Sequence, residues 1–365
     1  MEQSGASAVQ RAAPLDPLRI QQILDDLWRE YRAQQAGVPV ARARLANLIS
    51  FCRTREESDE ASRVVTRLNA VRPVRSIVVV ADEAGGAADA EASLRCGLTG
   101  VNHVCFEEIV IHAPGDLART IPSLVEPLTV TDLPVYLWFV GDPPLSDPGI
   151  ERLLGLADRV VTDSHTFTDP LRRFHALADL VRRHTGSCVF TEMTWTRMGT
   201  WREAVGKLFD PMPSREFLPR IKKVRMTSAR SAGIPSDRSL VMTGWLAARL
   251  GWKAVSSNGT EGAAFEGPEG AIEVTWAEGP PAARGHLLGI TMQAGEVEFR
   301  VSRVQDDPLG AVRSSIMCSG DEQTGPAYSP AIWQTHELLC NALEIRTPFR
   351  DWEDALNVIA GIAPA

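Results

Sequence analysis

Between Leu124 and Pro170 the apolar residues gather into two short runs, Leu133–Val140 and Arg159–Thr162. Each run ends in a polar elbow. Asp142-Pro143-Pro144 closes the first and Asp163-Ser164-His165 the second. With a short helical segment between them, the runs predict one β-α-β unit in a sheet covered on both faces. Binding groups in open α/β sheets collect at the carboxyl ends of strands, so these elbows are the first places to look for function.

Upstream, Asp16-Pro17 predicts a helix start, an N-cap residue followed by proline at the first helical position. Ile20, Ile23, Leu24, Leu27, Trp28 and Tyr31 fall on one helical face, and Gly37-Val38-Pro39 ends the helix. Ala43–Phe51 reads as a strand with Asn47 as its odd polar member. Thr54 and Glu57 form a capping-box pair before a helix faced by Ala61, Val64, Val65 and Leu68. Pro73 and Arg75 introduce the strand Ser76–Ala81, and the turn Asp82–Gly86 follows. Further strands are expected at Ala92–Leu98 and His103–His112, and a short helix at Asp116–Val125, interrupted at Pro122.

Downstream, Asp169-Pro170 repeats the cap-plus-proline signal, with Leu171, Phe174, Leu177, Ala178 and Val181 on one stripe. Thr194–Thr200 reads as a connector, and Thr200 with Glu203 as a capping box leading a helix to Phe209. The proline cluster Asp210–Pro213 is the predicted domain boundary. Beyond it come a strand around Leu218–Met226, a helix from Ser236 to Leu250 stopped by Gly251, and a glycine-rich loop at Ser256–Gly270. The period then changes to two. Ala271–Trp276, Gly285–Met292, Glu296–Ser302 and Ala311–Met317 predict antiparallel strands with one wet face, and helices at Ala331–Leu343 and Asp351–Ile359 close the chain. The expected fold is a mixed-sheet α/β domain (16–212) followed by an α+β domain with a largely antiparallel sheet flanked by helices (213–365). Residues 1–15 are expected to be a disordered lead.

A length of 365 residues suits two domains, and 44% hydrophobic with 23% charged residues is ordinary for a globular chain. The net charge of −8 gives no general attraction to nucleic acid or anionic lipid. No apolar run reaches the roughly 18 residues of a membrane span, so neither nucleic acid nor membrane is an expected partner. Six scattered cysteines without a C-x-x-C pair predict free, mostly buried thiols and a cytoplasmic setting; a redox pair formed across space is the alternative.

No catalytic constellation emerges. Neither G-x-G-x-x-G nor G-x-x-x-x-G-K-[ST] occurs, so no nucleotide cofactor is expected. Asp163, Ser164 and His165 are triad residue types, but three consecutive side chains rarely aim at one another, and a strand-end capping role fits better. His103, Cys105 and His112 lack the paired spacing of a metal site, and His112 alternates to the opposite face from His103.

Two features stand apart. Arg220, Lys222, Lys223, Arg225 and Arg230 form a basic segment in an acidic chain with only four lysines. They read as a charged strand edge, or as a patch for an acidic partner or a phosphorylated metabolite. The nine tryptophans include Trp195 and Trp201, close in sequence to Arg197, and these are either binding hot spots or core.

Several uncommon strings, in order, together resemble the glucose-6-phosphate dehydrogenase assembly protein (OpcA) family. They are RPVR at 72–75, CFEEIVI at 105–111, LVEPLTVTDLPVYLWFVGDPP at 124–144, DRVVTDSHTFTDP at 158–170, TWTRMGTWREAVGKLFDP at 194–211 and TGWLAARLGW at 243–252. The resemblance implies a non-catalytic partner of glucose-6-phosphate dehydrogenase that helps its active oligomer form in the oxidative pentose phosphate pathway. On the matching positions it makes Arg75, Asp132, Trp138, Asp163, Asp169, Trp195, Arg197 and Trp201 candidates for partner binding, beside Lys222, Lys223 and Arg225 from the basic segment. The competing expectation is a sugar-phosphate sensor or enzyme using the strand-end loops near 141–144 and 163–165.

Overall fold

The computed structural model describes residues 7–34, 40–42, 44–81, 88–99, 102–113, 120–145, 148–229, 234–280, 286–305, 307, 310–331, 333–344 and 350–362. The chain forms two compact units. One comprises residues 1–166, 184–191 and 334–347, the other 167–183, 192–333 and 348–365.

In chain order the first unit contains β1 (Ser7–Ala13), α1 (Pro17–Gln34), β2 (Val40–Arg42), β3 (Asn47–Cys52), α2 (Arg55–Asn69), β4 (Arg75–Val80), β5 (Asp89–Thr99), β6 (Asn102–His112), α3 (Ile121–Val125), β7 (Val135–Phe139), α4 (Pro148–Leu154) and β8 (Arg159–Thr162). The chain then enters the second unit for α5 (Pro170–Arg183) and returns for most of β9 (Val189–Glu192). The strands form one sheet in the order β1-β5-β6-β4-β3-β7-β8-β9, with β2 beside β6. The core pairs β6–β4, β4–β3, β3–β7 and β7–β8 are parallel, while β1–β5 and β5–β6 are antiparallel. This is the mixed α/β sheet that the apolar runs predict.

Every residue of β3 and β4 is buried, which is why both read as runs rather than alternations. Asn47, wholly buried, explains its own presence in such a run. Its Nδ2 donates to Val130 O (3.0 Å) and Leu133 O (3.3 Å), and its Oδ1 accepts from Val130 N (2.7 Å). The side chain thus satisfies the backbone of the loop that leads into β7.

The second unit continues with α6 (Met193–Arg197), α7 (Gly199–Leu208), α8 (Met212–Arg215), β10 (Lys223–Ser228), α9 (Asp237–Leu250), β11 (Lys253–Ser257), β12 (Gly262–Gly267), β13 (Gly270–Glu278), β14 (Leu287–Ala294), β15 (Val297–Arg303), β16 (Val312–Cys318) and β17 (Asp321–Tyr328). The helix α10 (Thr335–Glu344) belongs to the first unit, and α11 (Arg350–Ile362) to the second. The second sheet runs β11-β12-β13-β10-β14-β15-β16-β17 and is antiparallel except for the pair β10–β13. Val224, Met226, Ile290, Met292, Phe299 and Val301 are buried on one face. Ser236 caps α9 by accepting from Ser239 N, and Gly251 ends it in the left-handed region (φ 68°). Gly244 lets α9 and α11 approach closely, since a Cβ there would press on Ala355 O and Ile359.

Several expectations are corrected. Residues 7–13 are not a disordered lead: they pair in unbroken register with β5, from Ser7 opposite Cys96 to Ala13 opposite Ala90. Their alternation is too weak in sequence to show, and the neighbouring strand supplies the order. The units do not divide at Asp210–Pro213, because Pro211 and Pro213 start the short helix α8 and the units interleave along the chain. Thr194–Thr200 is not a connector. The Glu192 carboxylate accepts from Trp195 N and starts α6, so α7 begins at Gly199 without the Thr200–Glu203 cap.

In the second sheet, Ser256–Gly270 is the hairpin β11–β12 rather than a loop, turning through Gly259 at φ 64°, and β17 is an unexpected last strand. The basic strand β10 lies between β13 and β14, not at a sheet edge. Its charges alternate onto the open face while Val224 and Met226 go inward. Finally, Cys96 and Cys105 are not free thiols. They face each other across β5 and β6 and form a disulfide, a pairing that spacing alone does not reveal; Cys52, Cys188, Cys318 and Cys340 are free. The turn at 82–86, residues 37–39, the start of the 116–125 helix and Arg230 lie outside the described residues.

Candidate functional site

The strand order reverses direction at β3. The chain passes from β3 to β4 on one side, and β7 takes the other side. The crevice at the carboxyl ends of β3 and β7 is therefore the topological switch point, where open α/β sheets bind ligands. Here the chain's own Glu57 lies against it. Thr54 is extended (φ −132°, ψ 164°), and its Oγ1 accepts from Glu57 N at 3.2 Å, which starts α2. The Glu57 carboxylate reaches back to accept from Arg53 N at 2.6 Å and rests against Gly141, where any Cβ would collide with it. Two carboxylates, Glu56 and Glu57, thus occupy the first turn of α2, the position at which a helix N-terminus would otherwise attract a phosphate. The residues present do not suit a dinucleotide there.

The second elbow also serves the backbone. Asp163 Oδ1 accepts from His165 N at 3.2 Å, and Asp163 O accepts from Thr166 Oγ1 at 2.8 Å. Asp142, Asp163 and Ser164 are buried. Among the described residues no three His, Cys, Asp or Glu side chains gather to hold a metal ion.

The candidate partner-binding residues separate into buried and exposed sets. Arg75 is 3% exposed and donates to Gln21 Oε1 at 2.7 Å, with Glu107 at 3.7 Å. Trp138 is buried in β7, in register with Ser50 and Val161. Trp195 is buried between Trp352 (centroids 5.7 Å apart) and the Arg202 guanidinium, 3.8 Å from its ring. Trp201 is buried in α7, and half-buried Arg197 donates to Thr194 Oγ1 at 3.5 Å. Asp169 is exposed and accepts from Arg172 N at the start of α5. Asp132 is exposed and left-handed (φ 64°), on the loop that Asn47 clamps. Lys222 bonds Glu269 O, while Lys223 and Arg225 are exposed on the open face of the second sheet.

The opposite, amino-terminal end of the parallel strands holds groups that sequence reading passed over. Glu107, 1% exposed, meets Arg42, Arg44, Arg75 and the Trp28 indole N–H. Burial alone would push its carboxyl up, but the three guanidinia outweigh burial and hold it below the usual range. Burial in turn lowers Arg75 to about 10, which leaves it charged at neutral pH. The next residue, Glu108, is equally buried on the other face, and Arg95 is its only charged partner among the described residues. Burial wins there and pushes its carboxyl up. Two adjacent carboxylates inside the apolar run CFEEIVI were the available signal, since buried charges require partners.

Among known proteins, a family model for the N-terminal domain of a "Glucose-6-phosphate dehydrogenase subunit" matches residues 65–179. Its companion, for the C-terminal domain of the same subunit, matches 188–311. A "Putative OxPP cycle protein OpcA" from Synechocystis sp. is 26% identical over 275 residues, 72% of this chain and 54% of that protein. One of the same description from Synechococcus elongatus is 27% identical over 170 residues, 46% of this chain and 37% of the relative. The chain thus spans about half the length of the Synechocystis relative, and less of the other. Similar solved structures include a 3-ketoreductase from Actinomadura kijaniata (TM-score 0.49, 13% identity, 87% of this chain and 96% of that one). Another is a glucose-6-phosphate 1-dehydrogenase from Mycobacterium avium (TM-score 0.46, 12% identity, 86% and 91%). With residues 65–179 and 188–311 matched in order by the N- and C-terminal domain models of one family, this chain belongs to the OpcA family of glucose-6-phosphate dehydrogenase assembly proteins.

Proposed function

We propose that this protein is a non-catalytic assembly factor that binds glucose-6-phosphate dehydrogenase and stabilises its active oligomer. The observation that carries the reading is the Glu57 carboxylate lying in the switch-point crevice against Gly141. A chain of this family that closes its nucleotide-type crevice with its own acid is suited to acting on an enzyme rather than as one. The same plug weighs against a sugar-phosphate sensor working through the loops at 141–144 and 163–165. Activation then follows from tighter binding to the competent oligomer than to its alternatives, and ligands of the dehydrogenase alter affinity for this protein reciprocally. Of the candidate residues, exposed Asp132, Asp169, Lys223 and Arg225 are the ones a partner meets first, while Arg75, Trp138, Trp195 and Trp201 hold the units' interiors.

The test is a titration of the cognate dehydrogenase with this protein, following activity and mass in the same mixtures. Activation that saturates at a fixed ratio, with a new complex, is the expected outcome. Two folded proteins that neither associate nor change activity would overturn the reading.

A further inference from the structure

At the amino-terminal rim of the first sheet an open cleft of about 590 Å³ lies between the starts of β7, β8 and β9 and the end of α10. Its polar groups come from Arg72, Tyr136, Asp158, Arg159 and Glu344. Tyr136 and Arg159 are register partners on β7 and β8 and share a face. Arg159 is 5% exposed, and its guanidinium donates to Thr191 Oγ1 at 3.0 Å, which fixes its direction. Burial holds Arg159 below the usual arginine range, with Tyr136 acting in the opposite sense. Arg72 lies across the cleft, and its Nε has no hydrogen-bond partner among the described residues.

The two acids of the cleft are not equivalent. Asp158 Oδ2 accepts from Val135 N at 2.8 Å, so that carboxylate belongs to the backbone of the rim. Glu344 ends α10, is 61% exposed, and stands 3.7 Å from Arg72, beyond hydrogen-bond range. An ion pair of that length, with its carboxylate in solvent and the Arg72 side chain 23% exposed, contributes little and is readily exchanged. Two guanidinia, one rigid and one loosely countered, with a phenol between strands, form a recognition set for an oxyanion. Arginine suits such ligands because its planar fork donates two parallel N–H bonds.

We propose that this cleft is a binding site for a small organic dianion, a phosphate monoester or a dicarboxylate, which takes the place of Glu344 on Arg72 and is held by Arg159. The site is separate from the switch-point crevice, and its occupancy does not depend on the assembly role.

Calorimetric titration of the full chain at low ionic strength with glycerol 3-phosphate, succinate and inorganic phosphate tests the proposal without any dehydrogenase. Saturable binding of glycerol 3-phosphate or succinate is expected, and the tighter of the two identifies the source of the anion. Arg72→Gln should weaken that binding about ten- to hundredfold, the usual loss with a charged hydrogen-bonding group. Glu344→Gln, which removes the internal competitor, should strengthen it several-fold. Arg159→Gln should abolish it, but Arg159 is buried, so the two exposed-side variants, checked for unchanged thermal unfolding, decide the matter. No saturable heat with any of the three probes, or binding indifferent to both Arg72→Gln and Glu344→Gln, would overturn the site.

Discussion

The two ends of the parallel strands in the first unit treat charge in opposite ways. At the carboxyl end, where the topology invites a ligand, Glu57 bonds Arg53 N and packs on Gly141, and Asp163 bonds its own turn. At the amino end, Glu107 gathers three arginines inside the unit, while Arg72 and Arg159 face an open cleft. A strand order alone therefore does not locate a site. What matters is whether the polar groups at each end are already satisfied by the chain itself.

The largest test of that contrast removes the buried acid at the amino end. Glu107→Gln leaves buried Arg75 and its companions with only half-exposed Asp25, 3.6 Å from Arg42, as a counter-charge among the described residues, and should cost about 3–5 kcal/mol in urea unfolding at neutral pH. Glu108→Gln should cost under about 1 kcal/mol, because burial already penalises the ionised form of that carboxyl. The pH dependence should separate them. The Glu107 carboxyl is lowered in the folded state, so its contribution is present above the ordinary carboxyl range and lost as pH falls through the folded value. The Glu108 carboxyl is raised, so its contribution is present at acid pH and lost as pH rises through the folded value. Unfolding curves from about pH 3 to 8 on both variants would show opposite limbs flattening. Identical profiles would mean that the two carboxylates are not differently partnered.

A smaller effect concerns the disulfide beside that rim. Cys105 lies in register with Arg42 of β2 as well as with Cys96. Reducing or replacing the pair should cost about 2–3 kcal/mol, as expected for closing a loop of nine residues. Alkylation of the denatured, unreduced protein should modify four of its six cysteines. Six modified cysteines would show that the strands stay unlinked.

The smallest effect probes the filled end. Gly141→Ala must displace the Glu57 carboxylate, a flexible group, and so should cost only about 1–2 kcal/mol. A neutral result would mean that Glu57 does not depend on this contact.

Much of the first sheet was legible because its strands are buried on both faces. The runs at Ser76–Ala81 and Arg159–Thr162 fall on β4 and β8, and Asp16-Pro17 and Ser236 cap α1 and α9 as their residue types require. The strands β1, β11 and β17 were not legible. They carry weak alternation, and neighbouring strands supply their order. The connector at 194–200 misled for a related reason, since a Glu192 cap eight residues before Thr200 starts a helix of its own.

The candidate residues divide along the same line. The family strings picked out Arg75, Trp138, Trp195 and Trp201, and the fold buries all four inside its units. Arg72, in the string RPVR, and Arg159, at the head of a buried run, were not singled out, because only the fold brings them together with Tyr136, Thr191 and the end of α10.

By itself, the sequence determined the two sheet types, the caps of the principal helices and the family strings. These depend on period, local hydrogen bonding and order along the chain, all local properties of the residues. Only the tertiary structure decided which carboxylates are answered, which cysteines meet, how the two units interleave and which end of the sheet stays open. Those outcomes depend on residues far apart in sequence arriving side by side, and on burial, which sets what a charge costs once it is there.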